Sequence, residues 1–335
     1  MSGIIFSESA GVADSIYGNS QAPIRSVIEA SGEAYEQANI LKEIFVMENS
    51  NNYAEKFTGM TAMKGFQPVG ENGLYPEDSM QESFSKTFEH VTWKDRFSIS
   101  REMIDDSKTL DLKQKPKAFM NGYYRTRETF GAALLGGAVK GNTAITYGGR
   151  NFAVTGADGV TLFSKSHPNK EDKKTQSNLF ADAFSNEALA AAEAAMQNFC
   201  GEGGQILDVA PNTIIIPNDY KLKMDVFAAI GADKDPNTAN NGFNFTFGRW
   251  KVIVWAYLNQ FITAGTKPWI MMSESYNKDH YGAVWLDRVS LEVKSTIDEN
   301  NDANRWQGYS RWSAGFNDWR AFAVGGVSGG TTLIS

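Results

Sequence analysis

APNTIIIPNDYKLKMDVF, residues 210–227, is the stretch on which the fold turns. Ile214, Ile215 and Ile216 form an unbroken apolar run, which predicts a short buried strand over 212–216. Helical spacing then takes over and predicts a helix over 219–230. Strand patterns return at 249–257 and 269–273, so this part of the chain reads as an α/β layer around a central sheet. Between them, 231–244 is a polar loop of Gly, Asp, Asn and Pro that needs an exposed rim or a partner. Upstream, 185–199 is an Ala-rich helix with Ser185 as its cap.

Further toward the N-terminus, PKAFMNGYYRTRETFGAALLGGAV (116–139) places Phe119, Tyr123, Phe130, Leu134 and Ala138 on one stripe. Pro116 suits the helix start and Gly141 its end. At ~1.5 Å per residue this helix would be about 36 Å long, a spine more than a packing helix. Arg125 and Arg127 fall mostly off its stripe. After it, 151–163 reads as a hairpin turning at 156–159, and 169–178 as a charged, exposed loop. The tail, 283–327, is strand-rich, broken by the acidic turn 298–304, and holds Trp285, Trp306, Trp312 and Trp319.

Residues 54–100 read as a long two-stranded excursion around a centre rich in Gly, Pro and acid. In the returning strand the apolar side switches from Phe84 and Phe88 to Val91, Trp93, Phe97 and Ile99, which predicts a bulge or bend at 89 and 90. A lone ribbon is marginal in water, so something must pack on it. Residues 24–45 carry one amphipathic helix, started by Pro23 and open to a break at Gly32. Residues 1–23 read as an arm, loose unless something lies beneath it.

The chain has 335 residues, enough for about two domains, and 32 basic against 39 acidic residues give a net charge of −7. That balance argues against a protein living by its grip on nucleic-acid phosphates, which usually shows a basic surplus. No apolar stretch is long enough to span a membrane, and no signal peptide is evident at the start. Cys200 is the lone cysteine, so stability must come from packing or partners.

Sites of chemistry are hard to find. His90, His167 and His280 are dispersed, without metal-ligand spacing. Cys200 precedes GEGG, but glycine is an ordinary helix exit and no base is near. The glycine pairs at 136, 148, 203 and 325 fit neither a Walker loop nor a dinucleotide loop, and the acidic clusters lack a calcium-loop pattern. No catalytic residue, cofactor or metal site is expected. Trp306, Trp312 and Trp319 with Arg305, Arg311 and Arg320 could form a base-stacking platform, yet an acidic chain favours a core or a subunit interface.

Three local patterns are familiar together. DGVTLFSKSHP (158–168) resembles the DGxxLFSxxHP signature of tailed-bacteriophage major head proteins; residues 210–227 resemble the strand-then-helix segment that follows it. RWSAGFNDWRAFAVGG (311–326) resembles their closing strand pair, and the element order matches over nearly the whole chain. The resemblance implies an α+β, Hong Kong 97-type capsid fold. Its parts would be an N-terminal arm (1–23), a connecting helix (24–53), an extended β-ribbon loop (54–100), a peripheral domain (101–185) with the spine helix, an axial domain (186–281) and a return to the peripheral domain (282–335).

It further implies a non-enzymatic virion protein, assembled in the host bacterial cytoplasm into pentamers and hexamers of itself around double-stranded DNA. A portal protein and a separate scaffolding protein would be partners, since no helical prefix precedes the arm. An acidic lining would keep the genome from adhering. Phe66, Pro68, Tyr75, Trp93, Arg305, Trp306, Arg311 and Trp312 are the expected interface residues. Some family members crosslink a loop Lys to an Asn; Lys64 with Asn300, Asn301 or Asn304 could be drawn so, but such residues are common in loops. The alternatives are a bacterial nanocompartment shell of the same fold, a phage-encoded soluble enzyme, and a single-strand nucleic-acid-binding module.

Overall fold

The computed structural model describes residues 3–60, 66, 68–75, 77, 82–106, 109–231, 244 and 246–334. Lys64 and most of the polar loop 231–244 lie outside the described residues.

Two sheets share one long helix. The first sheet has Ala283–Ile297 and Asn304–Phe316 as a long antiparallel pair, with Val91–Ile99 on the far side of Asn304–Phe316. Ile5–Glu8 and Val46–Asn49 both lie parallel on the other edge of Ala283–Ile297. The second sheet runs Lys251–Trp255, Thr213–Pro217, Trp269–Met272, Phe322–Gly325. The first two of these strands are parallel and joined through the helix Tyr220–Gly231, as a βαβ unit requires.

The spine is the helix Thr109–Val139. It starts earlier than its sequence suggests, with Pro116 inside it. Phe119, Met120 and Tyr124 pack with Ile24, Ile28, Leu291, Val293 and Trp306 under the five-stranded sheet. Phe130, Leu134, Leu135 and Ala138 join the larger core shared with the four-stranded sheet. One helix thus holds both sheets together. Glycines let neighbours approach its second half: a Cβ at Gly136 would sit 2.5 Å from Phe261 Cβ, and one at Gly137 2.2 Å from Ile145 Cγ2. The Gly148 and Gly149 pair instead turns the hairpin of Ala144–Tyr147 with Arg150–Ala153, at φ 57° and 78°.

Several expectations need correction. The arm is not loose within the described residues: Ile5–Glu8 pairs with Ala283–Ile297, and Val12 and Tyr17 are buried. Its support is an edge of the chain's own sheet. The next helix is Gly18–Gln37, with Pro23 inside and no break at Gly32. Gly32 is buried there because a Cβ would meet Ile4, Tyr124 and Met120 within 3.6 Å, so glycine sets the close crossing with the spine. A helix Glu274–His280, capped by Ser273, holds His280 at its end, an element not expected from the sequence. Finally, Phe322–Gly325 pairs with Trp269–Met272, so the returning segment completes the second sheet.

Candidate assembly surfaces

The ribbon is shorter than 54–100. Ala54–Met60 pairs antiparallel with Glu82–Glu89, the chain breaks at His90, and Val91–Ile99 enters the five-stranded sheet. The switch in apolar parity marks that break. At the ribbon's root Phe57 packs on Phe88 and Tyr281. Lys86 donates to the Thr155 carbonyl, and burial pushes its ammonium down to about 8, with the Asp158 charge acting the other way. Lys170 donates to the carbonyls of Glu82 and Ser83 at 2.6 and 2.9 Å. His90 sits between the Ser50 hydroxyl, 2.8 Å from Nε2, and the Ser313 hydroxyl, 3.3 Å from Nδ1. Burial, then Arg288 and Arg311, hold its imidazolium form below the ordinary range.

The described residues beyond the paired part of the ribbon are exposed. Phe66, Leu74 and Tyr75 have side chains 110%, 90% and 99% exposed, and Pro68 is exposed beside them. Monomeric surfaces carry scattered apolar residues, but three large ones fully in water at one loop call for a partner.

The expected interface residues on the tail behave differently. Trp306 and Trp312 are 0% and 1% exposed, inside the chain's own core, which corrects their assignment as contact residues of the free surface. Trp93, half-buried, stacks on Trp312 with ring centroids 4.1 Å apart. The reason is strand period. Along Asn304–Phe316 the even positions point at the helices and the odd ones away, so Arg305 and Arg311 face opposite to the tryptophans beside them. Trp319 is likewise buried, stacked on His167 at 4.2 Å, and Arg320 is buried against Glu202 at 3.1 Å and Asp318 at 3.5 Å. No base can stack on rings held this way.

The head-protein signature proves to be a buried polar knot. His167 Nδ1 lies 2.6 Å from Asp158 Oδ2, and Nε2 lies 3.1 Å from Asn178 Oδ1. Asn178 Nδ2 donates to the carbonyls of Leu162 and Phe322 at 2.8 and 3.0 Å. Asp158 Oδ1 also accepts the Val160 N–H of the 156–159 turn. These bonds fasten three separated segments, and buried polar groups demand such partners. A second internal tie joins spine and sheet: Arg127 makes two 2.9 Å bonds to Asp287 and one to the Tyr123 hydroxyl, over the Trp285 ring. Burial acts to lower that guanidinium's affinity for the proton, but Tyr123 and Asp287 outweigh it and raise it above the ordinary arginine value.

Nothing in this geometry converges on a reacting atom. Among the described residues no group of three or more His, Cys, Asp or Glu side chains is placed to hold a metal ion, and no helix is long and apolar enough to cross a membrane. Among the described residues, recesses between elements carry no cluster of reactive side chains. One is lined by Trp93, Phe119, Tyr123 and Leu291, another by Phe84, Asp158, Glu202 and Arg320.

The sequence model described as phage capsid protein matches residues 84–325, from the ribbon's returning strand to the last strand of the second sheet. The chain belongs to the phage capsid protein family. Its place is therefore the virion, as a subunit of the head shell. A solved chain of Mycobacterium phage Patience is similar over 100% of this capsid protein and 96% of its own length, with a TM-score of 0.52 at 11% identity. That likeness extends the fold beyond the family match. A chain in the capsid of Myoviridae Phage XM1 aligns over 85% of this chain and 90% of its own, with a TM-score of 0.48 and 12% identity. Among curated proteins there is no significant match.

Proposed function

We propose that many copies of this capsid protein form pentamers and hexamers that close into an icosahedral shell around double-stranded DNA. Closure comes from heterologous contacts whose rotations return on themselves. The subunit catalyses no reaction. The segment ahead of the helix Gly18–Gln37 serves as the arm and the ribbon of Ala54–Met60 with Glu82–Glu89 as the extended loop; 101–185 with the strand pair Ala283–Ile297 and Asn304–Phe316 forms the peripheral domain, and 186–281 with Phe322–Gly325 the axial domain. Assembly takes place in the host cytoplasm with a separate scaffolding protein, and a portal protein occupies one vertex.

One observation carries the reading: a ribbon fixed firmly at its root ends in Phe66, Leu74 and Tyr75, fully in water. A neighbouring subunit that receives this end removes the cost of exposing it. Phe66, Pro68 and Tyr75 are the contact residues of that junction.

Size-exclusion chromatography with light scattering, on the full chain alone and with its neighbouring genes, tests the proposal, followed by negative-stain imaging. Rings, tubes or shells are expected. Because each copy carries −7, moderate ionic strength should favour assembly by screening repulsion. A compact monomer under every condition, scaffold included, would sink the shell reading. Purified particles holding DNA distinguish a phage head from a nanocompartment, whose cargo is an enzyme.

A further inference from the structure

The five-stranded sheet has one face packed on the spine; the other is covered at one end by Phe88 of the ribbon root and open beyond it, and the open part is basic. Its pairing registers set Arg96, Gln307, Lys294 and Ser7 side by side across four strands. The next row is Lys94, Tyr309, Glu292 and Ile5. Arg305 and Arg311 stand on the same face of Asn304–Phe316, to either side of these rows. Alternation turns their neighbours Trp306, Gly308, Ser310 and Trp312 inward. Lys94, Arg96 and Lys294 are exposed, and Arg305 and Arg311 are half-buried. The two rows hold three cations and one carboxylate, Glu292, with Arg305 and Arg311 beside them; Asp298 and, at the far end of the sheet, Glu48 are the other carboxylates near this face of a chain whose net charge is −7.

These charges are poorly compensated from within. Arg305 pairs with Asp298. Among the described residues Lys94, Arg96, Lys294 and Arg311 have no ion-pair partner, and the Arg311 Nε is buried with no acceptor. Lys94 lies over the Tyr309 ring at 5.6 Å. Cations two residues apart along a strand lie ~6.8 Å apart and strands ~4.8 Å apart, so like charges crowd together. A partner must be anionic. A protein partner would look for an apolar, charge-depleted centre, and the two rows offer only Ile5 and Tyr309. A polyanion needs none.

We propose that this open face binds the phosphodiester backbone of duplex DNA without reading its sequence. The inference rests on the shell reading and identifies the surface that would meet the packaged genome; an acidic lining throughout is then incorrect. Four strands abreast are too broad for the ~12 Å major groove, so contact stays on phosphates. Lys94, Arg96, Lys294 and Arg311 supply about four counterion-releasing contacts. By the usual proportionality, the slope of log affinity against log salt is about −3.6, a loss of ~100-fold between 50 and 200 mM.

The test titrates the full, unassembled chain into a fluorescent random-sequence 30-base-pair duplex at several salt concentrations, reading anisotropy. The variant Lys94→Gln/Arg96→Gln/Lys294→Gln changes only exposed side chains; Lys140→Gln/Arg150→Gln, exposed elsewhere, is the control. The triple variant should bring the slope to about −1 and weaken binding at 50 mM by 10-fold or more, with the control near wild type. A wild-type slope in the triple variant, an equal loss in the control, or tighter binding to poly-glutamate than to DNA overturns the proposal. Both proteins are also imaged for shells. Shells from a triple variant that still binds DNA normally reject this surface alone, whereas a wild type that never assembles rejects the shell reading.

Discussion

The two larger sheets of this capsid protein solve the same burial problem in different ways. Thr213–Pro217, Trp269–Met272 and Phe322–Gly325 are buried at every position, so that sheet is covered on both faces and its strands read as continuous apolar runs. The five-stranded sheet buries one face under the spine and, away from the patch that Phe88 of the ribbon root covers, leaves the other wet, so Asn304–Phe316 alternates as far as Trp312 and Val91–Ile99 alternates with it. The first arrangement makes a rigid block; the second leaves a charged surface for other molecules. A capsid subunit needs both.

That contrast can be broken at single residues. Trp306→Ala, on the packed side of the open sheet, should cost about 3–5 kcal/mol in denaturant unfolding. Arg127→Ala, which strands Asp287 inside, should cost a similar 3–5 kcal/mol, and replacing both partners with apolar residues should recover most of it. In the closed sheet, Ile214→Ala and Ile215→Ala point to opposite faces and should each cost about 2–5 kcal/mol. A large cost at only one would mean that sheet also has a wet face.

A weaker effect is expected where ribbon and open sheet meet. His90 is held below its ordinary pKa by burial and by Arg288 and Arg311, with Glu55 and Asp287 opposing. As pH falls below about 6.5 the unfolded chain takes up this proton before the folded one, so stability declines with acid. The decline is at most about 1.4 kcal/mol per pH unit from this group. Hydrogen exchange of the ribbon-root amides, corrected for intrinsic rates, should quicken from pH 7 to pH 5, and His90→Gln should flatten the response. The smallest change belongs to Gln307→Ala, one residue from Trp306 on the open face, which should stay within about 0.5 kcal/mol.

Much of this was legible because the signals are local. The run Ile214, Ile215 and Ile216, the Ser185 cap that accepts the Ala188 N–H at 3.0 Å, and the change of apolar parity at 89 and 90 each depend on neighbours within a few residues. Other features resisted for a common reason. Pro23 and Pro116 looked like helix starts because proline is favoured there, yet packing against the neighbouring helix and sheet carries both helices past them. Trp306 and Arg305 sit side by side in the chain and look like one patch, whereas the pleat sends them to opposite faces. Along Asn304–Phe316 the tryptophans are core, whereas Arg305 and Arg311 face outward.

By itself the sequence determined most of the element types, the α+β class and the family resemblance, since these follow from period, capping and local motif. It also determined a net charge of −7, but a sum has no direction. Tertiary structure alone decided that residues 5–8 would lie on the edge of a strand some 285 positions later, and that Phe322–Gly325 would complete a sheet begun at Thr213. It alone collected Lys94, Arg96, Lys294, Arg305 and Arg311 from three strands onto one face. Such placements depend on register between distant segments, which no local window contains, because loop closure brings those segments together only when the whole core forms.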